Sequence, residues 1–158
     1  MNEELKALLD KSKGREVEIH SFLRKNKKNK QLDSLFHQAH EEVFQEINCL
    51  DCANCCKTTS PIFRDADIRR ISKHLRMKEA AFVDEYLRMD DEYDYVLKQA
   101  PCRFLGHDHR CSIYEHRPLA CREYPHTDRK NIHQIAKLTL KNSQICPAVS
   151  QILEKIIP

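Results

Sequence analysis

The sequence predicts a mainly α fold, a small single domain of short helices with a minor hairpin, built around a cysteine-rich stretch. Three observations support this. Apolar residues recur at spacings of three and four, as in Leu32, Leu35, Phe36, Ala39, Val43 and Ile47, which places them on one face of a helix. The chain has only two glycines, Gly14 and Gly106, too few for the glycine-rich phosphate loops of nucleotide-binding α/β domains. Half of its eight cysteines lie in one octapeptide, with thiols at Cys49, Cys52, Cys55 and Cys56.

In chain order, Leu5, Leu8 and Leu9 predict a first helix, and Val17, Ile19, Phe22 and Leu23 a second apolar segment. The run Arg24 to Lys30 holds five cations but no aromatic residue that could stack on a base, so it reads as a solvated loop between helices. A helix from Gln31 to Ile47, with Asp33 or Ser34 near its start, leads straight into the octapeptide. Ser60-Pro61 marks a boundary. Asp65 or Asp67 then opens a helix with Ile68, Ile71 and Leu75 on its apolar face, and Ala81, Phe82, Tyr86 and Leu87 predict another. Asp90 to Asp94 is turn-like and lacks the glycine and ordered alternation of a calcium loop.

Tyr93 to Leu97 and Cys111 to Tyr114 favour β structure, and with Gly106 to His109 between them they suggest a small hairpin. Two prolines, Pro118 and Pro125, keep Tyr114 to Pro125 from forming one helix. Ile132 to Leu140 gives a short apolar element. A final helix starts with Pro147 in its first turn and turns Val149, Ile152, Leu153 and Ile156 inward. The expected organisation is one structural domain: residues 1–48 form a helical segment packed on the core, and residues 49–158 form the cysteine-cluster region.

At 158 residues, 41% hydrophobic and 32% charged, the composition is that of a globular chain with a modest core. The N-terminus lacks the basic head and apolar run of a secretory signal, and no stretch is apolar enough to span a membrane. A cytoplasmic location is therefore expected. Cysteines in that reducing compartment point to metal rather than to a disulfide framework. Metal ligation needs thiolates, so eight of them around two divalent centres would bring the formal charge of +3 to near neutrality, which weakens any argument for nucleic acid from basicity.

Three explanations compete for the thiols: structural core residues, a redox pair of the C-x-x-C kind, and metal ligands. A buried cysteine is common and inert, but four in eight residues exceed that account. Spacings of two residues let one turn of backbone aim successive sulfurs at a single point, as zinc and iron-sulfur sites require. Each such site takes four thiolates, so Cys49, Cys52, Cys55, Cys56, Cys102, Cys111, Cys121 and Cys146 are all candidate ligands for one or two centres holding zinc or an iron-sulfur cluster. Neighbours in extended backbone point to opposite sides, so Cys55 and Cys56 are expected to serve different metals or to bracket one in an irregular loop. Lys57, Arg103, Arg110 and Arg122 each adjoin a cysteine and could moderate its charge. His107, His109 and His116 are alternative ligands, though surface or hydrogen-bonded roles suit them better.

The run Cys49-x2-Cys52-x2-Cys55-Cys56, then Pro101-Cys102, a glycine-bearing loop, Cys111 to Tyr114, Arg117-Pro118, Cys121-Arg122, Tyr124-Pro125 and Cys146, resembles the CxxCxxCC family of zinc- or iron-chelating proteins, also called YkgJ-like cysteine cluster proteins. The resemblance spans about Cys49 to Cys146 and implies metal or iron-sulfur binding, without a substrate or reaction. A metal ion or cluster is thus the expected partner. A protein partner stays open, a membrane is not expected and nucleic acid is disfavoured. The competing functions are a thiol-disulfide oxidoreductase using Cys49 to Cys56 and a zinc-dependent nucleic-acid module using Arg24 to Lys30.

Overall fold

The computed structural model describes residues 1–158. In chain order its helices are α1 (Glu3–Gly14), α2 (Glu16–Lys25), α3 (Leu32–Glu46), α4 (Cys49–Cys52), α5 (Asn54–Thr58), α6 (Asp65–His74), α7 (Glu79–Tyr86), α8 (Leu119–Glu123), α9 (Ala136–Ser143) and α10 (Pro147–Ile156). Strands β1 (Leu87–Met89) and β2 (Tyr95–Leu97) lie between α7 and α8 and form a two-stranded antiparallel sheet. The fold is mainly α with one small hairpin. No helix is long and apolar enough to cross a membrane.

The chain packs as two compact units, Met1–Asn54 with Pro125–Pro158, and Cys55–Tyr124. The first unit is helical. Its core joins Ile19 and Leu23 of α2, Phe36, Ala39 and Val43 of α3, and Val149, Ile152 and Leu153 of α10. These are the stripes that the spacing of three and four predicts, and Phe36, Val43, Val149 and Ile152 are fully buried. Pro147 opens α10, where its missing N–H costs nothing. Val17 departs from expectation: it is 85% exposed, because it lies on the face of α2 opposite Ile19 and Leu23. The cap of α3 also differs, since Gln31 holds that position. The Asp33 carboxylate instead accepts the backbone N–H groups of Asn131 and Ile132 at 2.7 and 3.0 Å, fastening a distant loop to α3.

The second unit has shorter elements and a more aromatic core. Phe63, Phe82 and Phe104 pack with Ile68, Ile71, Leu87, Leu97 and Ile113, and Tyr86 lies 5.2 Å, centroid to centroid, from both Phe82 and Phe104. The hairpin corrects the sequence reading. β2 pairs with β1 in the register Leu87↔Leu97, Arg88↔Val96 and Met89↔Tyr95, across the acidic turn closed by Asp90 N–H to the Asp94 carbonyl. Cys111 makes an isolated bridge with Leu105 instead. Short range decides: the Asp90 to Asp94 turn brings Leu87 to Met89 beside Tyr95 to Leu97, and α7 supplies the apolar floor.

Candidate metal centre

The octapeptide is helical rather than extended, which corrects the geometric premise used for Cys55 and Cys56. Asn48 caps α4 by accepting the Leu50 N–H at 3.0 Å, so Cys49 and Cys52 begin and end one helical turn. Ala53 then adopts left-handed backbone, φ 49°, an uncommon conformation for a residue with a Cβ, and α5 begins at Asn54. Adjacent residues on a helix diverge by about 100°, yet the Cys55 and Cys56 side chains remain within hydrogen-bonding reach of each other. Cys49 is exposed and Cys52 buried, and the other six cysteines are half-buried.

Within the first unit, Cys49 and Cys52 come together with Cys146. The Asn54 side-chain amide donates to the Ile145 carbonyl at 2.8 Å, tying the octapeptide to the residue before Cys146, and the Cys146 N–H donates to the Asn142 carbonyl at 2.8 Å, ordering the chain just before α10. Cys146 is the N-cap of α10. Burial pushes its thiol up to about 11 against the N–H groups of Val149 and Ala148, and the charges of Cys49 and Cys52 add to the rise.

Within the second unit, Cys56, Cys102, Cys111 and Cys121 gather. The Cys102 N–H donates to the Cys56 carbonyl at 2.8 Å, and Ser112 N–H to Phe104 and Gly106 N–H to Arg110 close the loop that carries Cys111 back toward Cys102. A Cβ at Gly106 would stand 2.8 Å from Oδ1 of the exposed Asp108 side chain and 3.2 Å from the Arg110 carbonyl, so a larger residue would crowd this loop. The four thiols feel one another electrostatically. Burial first, and then the charges of Cys56, Cys102 and Cys111, raise Cys121 to about 12, with Arg117 opposing. Burial also raises Cys102, aided by Cys56 and Cys111, and Cys111, aided by Cys56 and opposed by Arg117. Cys56 runs the other way, down to about 7, because Cys55 hydrogen-bonds to it and Lys57 lies near, which together outweigh its burial.

The donor chemistry suits a soft cation. Thiols that raise one another's pKa are those whose ionisation a central positive charge would favour. No three Cys, His, Asp or Glu donors stand closed into a metal-ligand group.

The cations act by position in space rather than in sequence. Lys57 reaches Cys56, but the charge on Cys111 and Cys121 is that of Arg117. Arg110 pairs with Asp108 at 3.7 Å, and Arg122 donates to the carbonyls of Glu115 and Arg117. Among the candidate histidines, His109 Nε2 sits 2.9 Å from Lys57 Nζ, His116 stacks on His74 with centroids 4.0 Å apart, and His107 is exposed. Asp67 and Arg70 hold the backbone just before α8, a role not read from the sequence, which placed Asp67 only at the start of a helix. Their only sequence signal is the Asp-x-x-Arg spacing on one helix face.

Comparison with known proteins gives a family and one relative. Residues 48–147 match the CxxCxxCC family model, described as a putative zinc- or iron-chelating domain. An uncharacterized protein of Methanocaldococcus jannaschii is 30% identical over 83 residues, covering 51% of this chain and 44% of that relative. The chain thus matches less than half of that protein's length. No solved structure matches.

Proposed function

We propose that this chain, which belongs to the CxxCxxCC family of zinc- or iron-chelating domains, binds metal through two separate sets of thiolates. Cys56, Cys102, Cys111 and Cys121 form one complete set of four in the second unit. Cys49, Cys52 and Cys146 form the other in the first unit, and Cys55 is a further donor in the octapeptide. The observation that carries this reading is that, after burial, the perturbing charges on the two most shifted thiols come from their own sets, Cys56, Cys102 and Cys111 for Cys121, and Cys49 and Cys52 for Cys146.

The protein's part is to hold the thiols together in a partly dry setting, from which a bound cation would displace their protons. Backbone N–H groups of Val149 and Ala148 steady the Cys146 sulfur, and those of Phe104 and Leu105 steady that of Cys102. When bound, zinc would supply a redox-inert structural centre, whereas an iron-sulfur cluster would supply one-electron chemistry. The latter would make the protein an electron carrier or redox protein.

Anaerobic purification followed by elemental analysis, sulfide assay and absorption spectroscopy tests the reading. We expect either iron with acid-labile sulfide and visible colour, or tightly held colourless zinc. Folded protein free of both metals would refute it.

A further inference from the structure

The segment between Cys111 and Cys121 contains a short 3-10 turn, Tyr114–His116, and then α8, a helix of five residues with Cys121 at its third position. Elements this short do not hold themselves in place. What holds this one is α6. Asp67, 2% exposed, accepts the Leu119 N–H at 3.1 Å on Oδ1, satisfying one of the donors that the start of α8 leaves without an intrahelical partner. The same oxygen takes Arg70 Nη2 at 2.6 Å. Arg70 in turn donates to the His116 carbonyl at 3.2 Å and to the Arg117 carbonyl at 2.9 Å. Asp67 Oδ2 accepts the Arg64 N–H at 3.0 Å, which anchors the carboxylate to the first turn of α6.

One buried carboxylate and one guanidinium therefore bind three consecutive turning points of the chain, His116, Arg117 and Leu119. Charge-assisted bonds of this kind are stronger than neutral ones. A buried carboxylate is tolerated only while its partner stays, so the pair is fixed as a unit. We propose that Asp67 and Arg70 are positioning residues for the Cys56, Cys102, Cys111 and Cys121 centre, acting through the backbone at 116–119 to set where Cys121 stands. This rests on the metal-binding reading above. It adds that the affinity of one centre depends on two residues that are not ligands.

The test uses the full chain loaded with zinc and titrated anaerobically against a chromophoric chelator, with urea unfolding of the metal-free protein alongside. Asp67→Asn removes the charge, and Arg70→Lys keeps a charge but cannot reach two carbonyls and a carboxylate at once. Each is expected to weaken one zinc by about 10- to 100-fold, the range seen when groups supporting a ligand are lost, and to leave the other zinc unchanged. Ile71→Val, in the same helix and core, should shift the urea midpoint without shifting either affinity. If Asp67→Asn does not fold, Arg70→Lys carries the test alone. Variants that hold both zincs as tightly as the parent, or that weaken both equally, would overturn the inference while leaving the metal-binding reading intact. A parent chain that binds no zinc would overturn both.

Discussion

The two units use different means to stay folded. Residues 1–54 and 125–158 rest on helices of eight to fifteen residues, α1, α2, α3, α9 and α10, and the apolar stripes of α2, α3 and α10 share one core. Residues 55–124 have a smaller core of aromatic rings and shorter elements, with the hairpin and α8 among them. The contrast extends to the cysteines. In the first unit they sit at helix ends, in α4 and at the N-cap of α10, where the backbone is already ordered. In the second unit Cys102 and Cys111 lie on irregular chain and Cys121 on a single short helix. Small domains with little core lean on metal or other cross-links. The second unit should therefore owe more of its order to its centre than the first does.

Metal removal gives the largest expected effect. After stripping by a strong chelator, amide exchange in residues 100–124 should lose protection by orders of magnitude, while amides of α3 and α10 should change far less, as measured by hydrogen exchange with mass spectrometry. Equal loss in both units would erase the contrast. The next effect in size comes from the core. Phe82 is fully buried, and Phe82→Ala should cost about 3–5 kcal/mol in urea unfolding of the metal-loaded protein. A cost under about 1 kcal/mol would mean that the aromatic cluster is not what supports this unit.

The smallest effect is electrostatic. Burial alone would raise the pKa of Asp67, but the Arg70 guanidinium and the N–H groups of Arg64 and Leu119 outweigh it and hold the carboxyl below its ordinary value. A carboxyl depressed in the folded state stabilises the fold above its unfolded pKa and loses that contribution as pH falls through the folded value. Stability of the metal-free chain should thus decline with acid below about pH 4, and Asp67→Asn should show a shallower decline. A variant with an unchanged acid slope would assign the dependence to other carboxylates.

The sequence revealed the parts that depend on local pattern. α3, α6 and α10 follow from apolar spacing, with Pro147 marking where α10 starts, and the crowding of thiols between Cys49 and Cys56 announced the chemistry. What it concealed depends on contacts far along the chain. Asp33 looked like a cap but binds Asn131 and Ile132, and that loop lies 98 residues away. Tyr95 to Leu97 looked ready to pair forward, yet Leu87 to Met89 arrives first across a five-residue turn. Arg122 adjoins Cys121, but Arg117 supplies the charge on it. The division of the octapeptide was also hidden, because nothing in Cys49 to Cys56 says that Cys52 and Cys56 belong to different units.

The central claim is that the thiols work as two sets. Metal content per chain, measured side by side for Cys121→Ser and Cys146→Ser purified under identical anaerobic conditions, tests it most directly. Each variant should lose one centre and keep the other, with the two remaining centres distinguishable by their absorption after cobalt substitution. Loss of all metal from both variants, or the same residual spectrum in each, would contradict it.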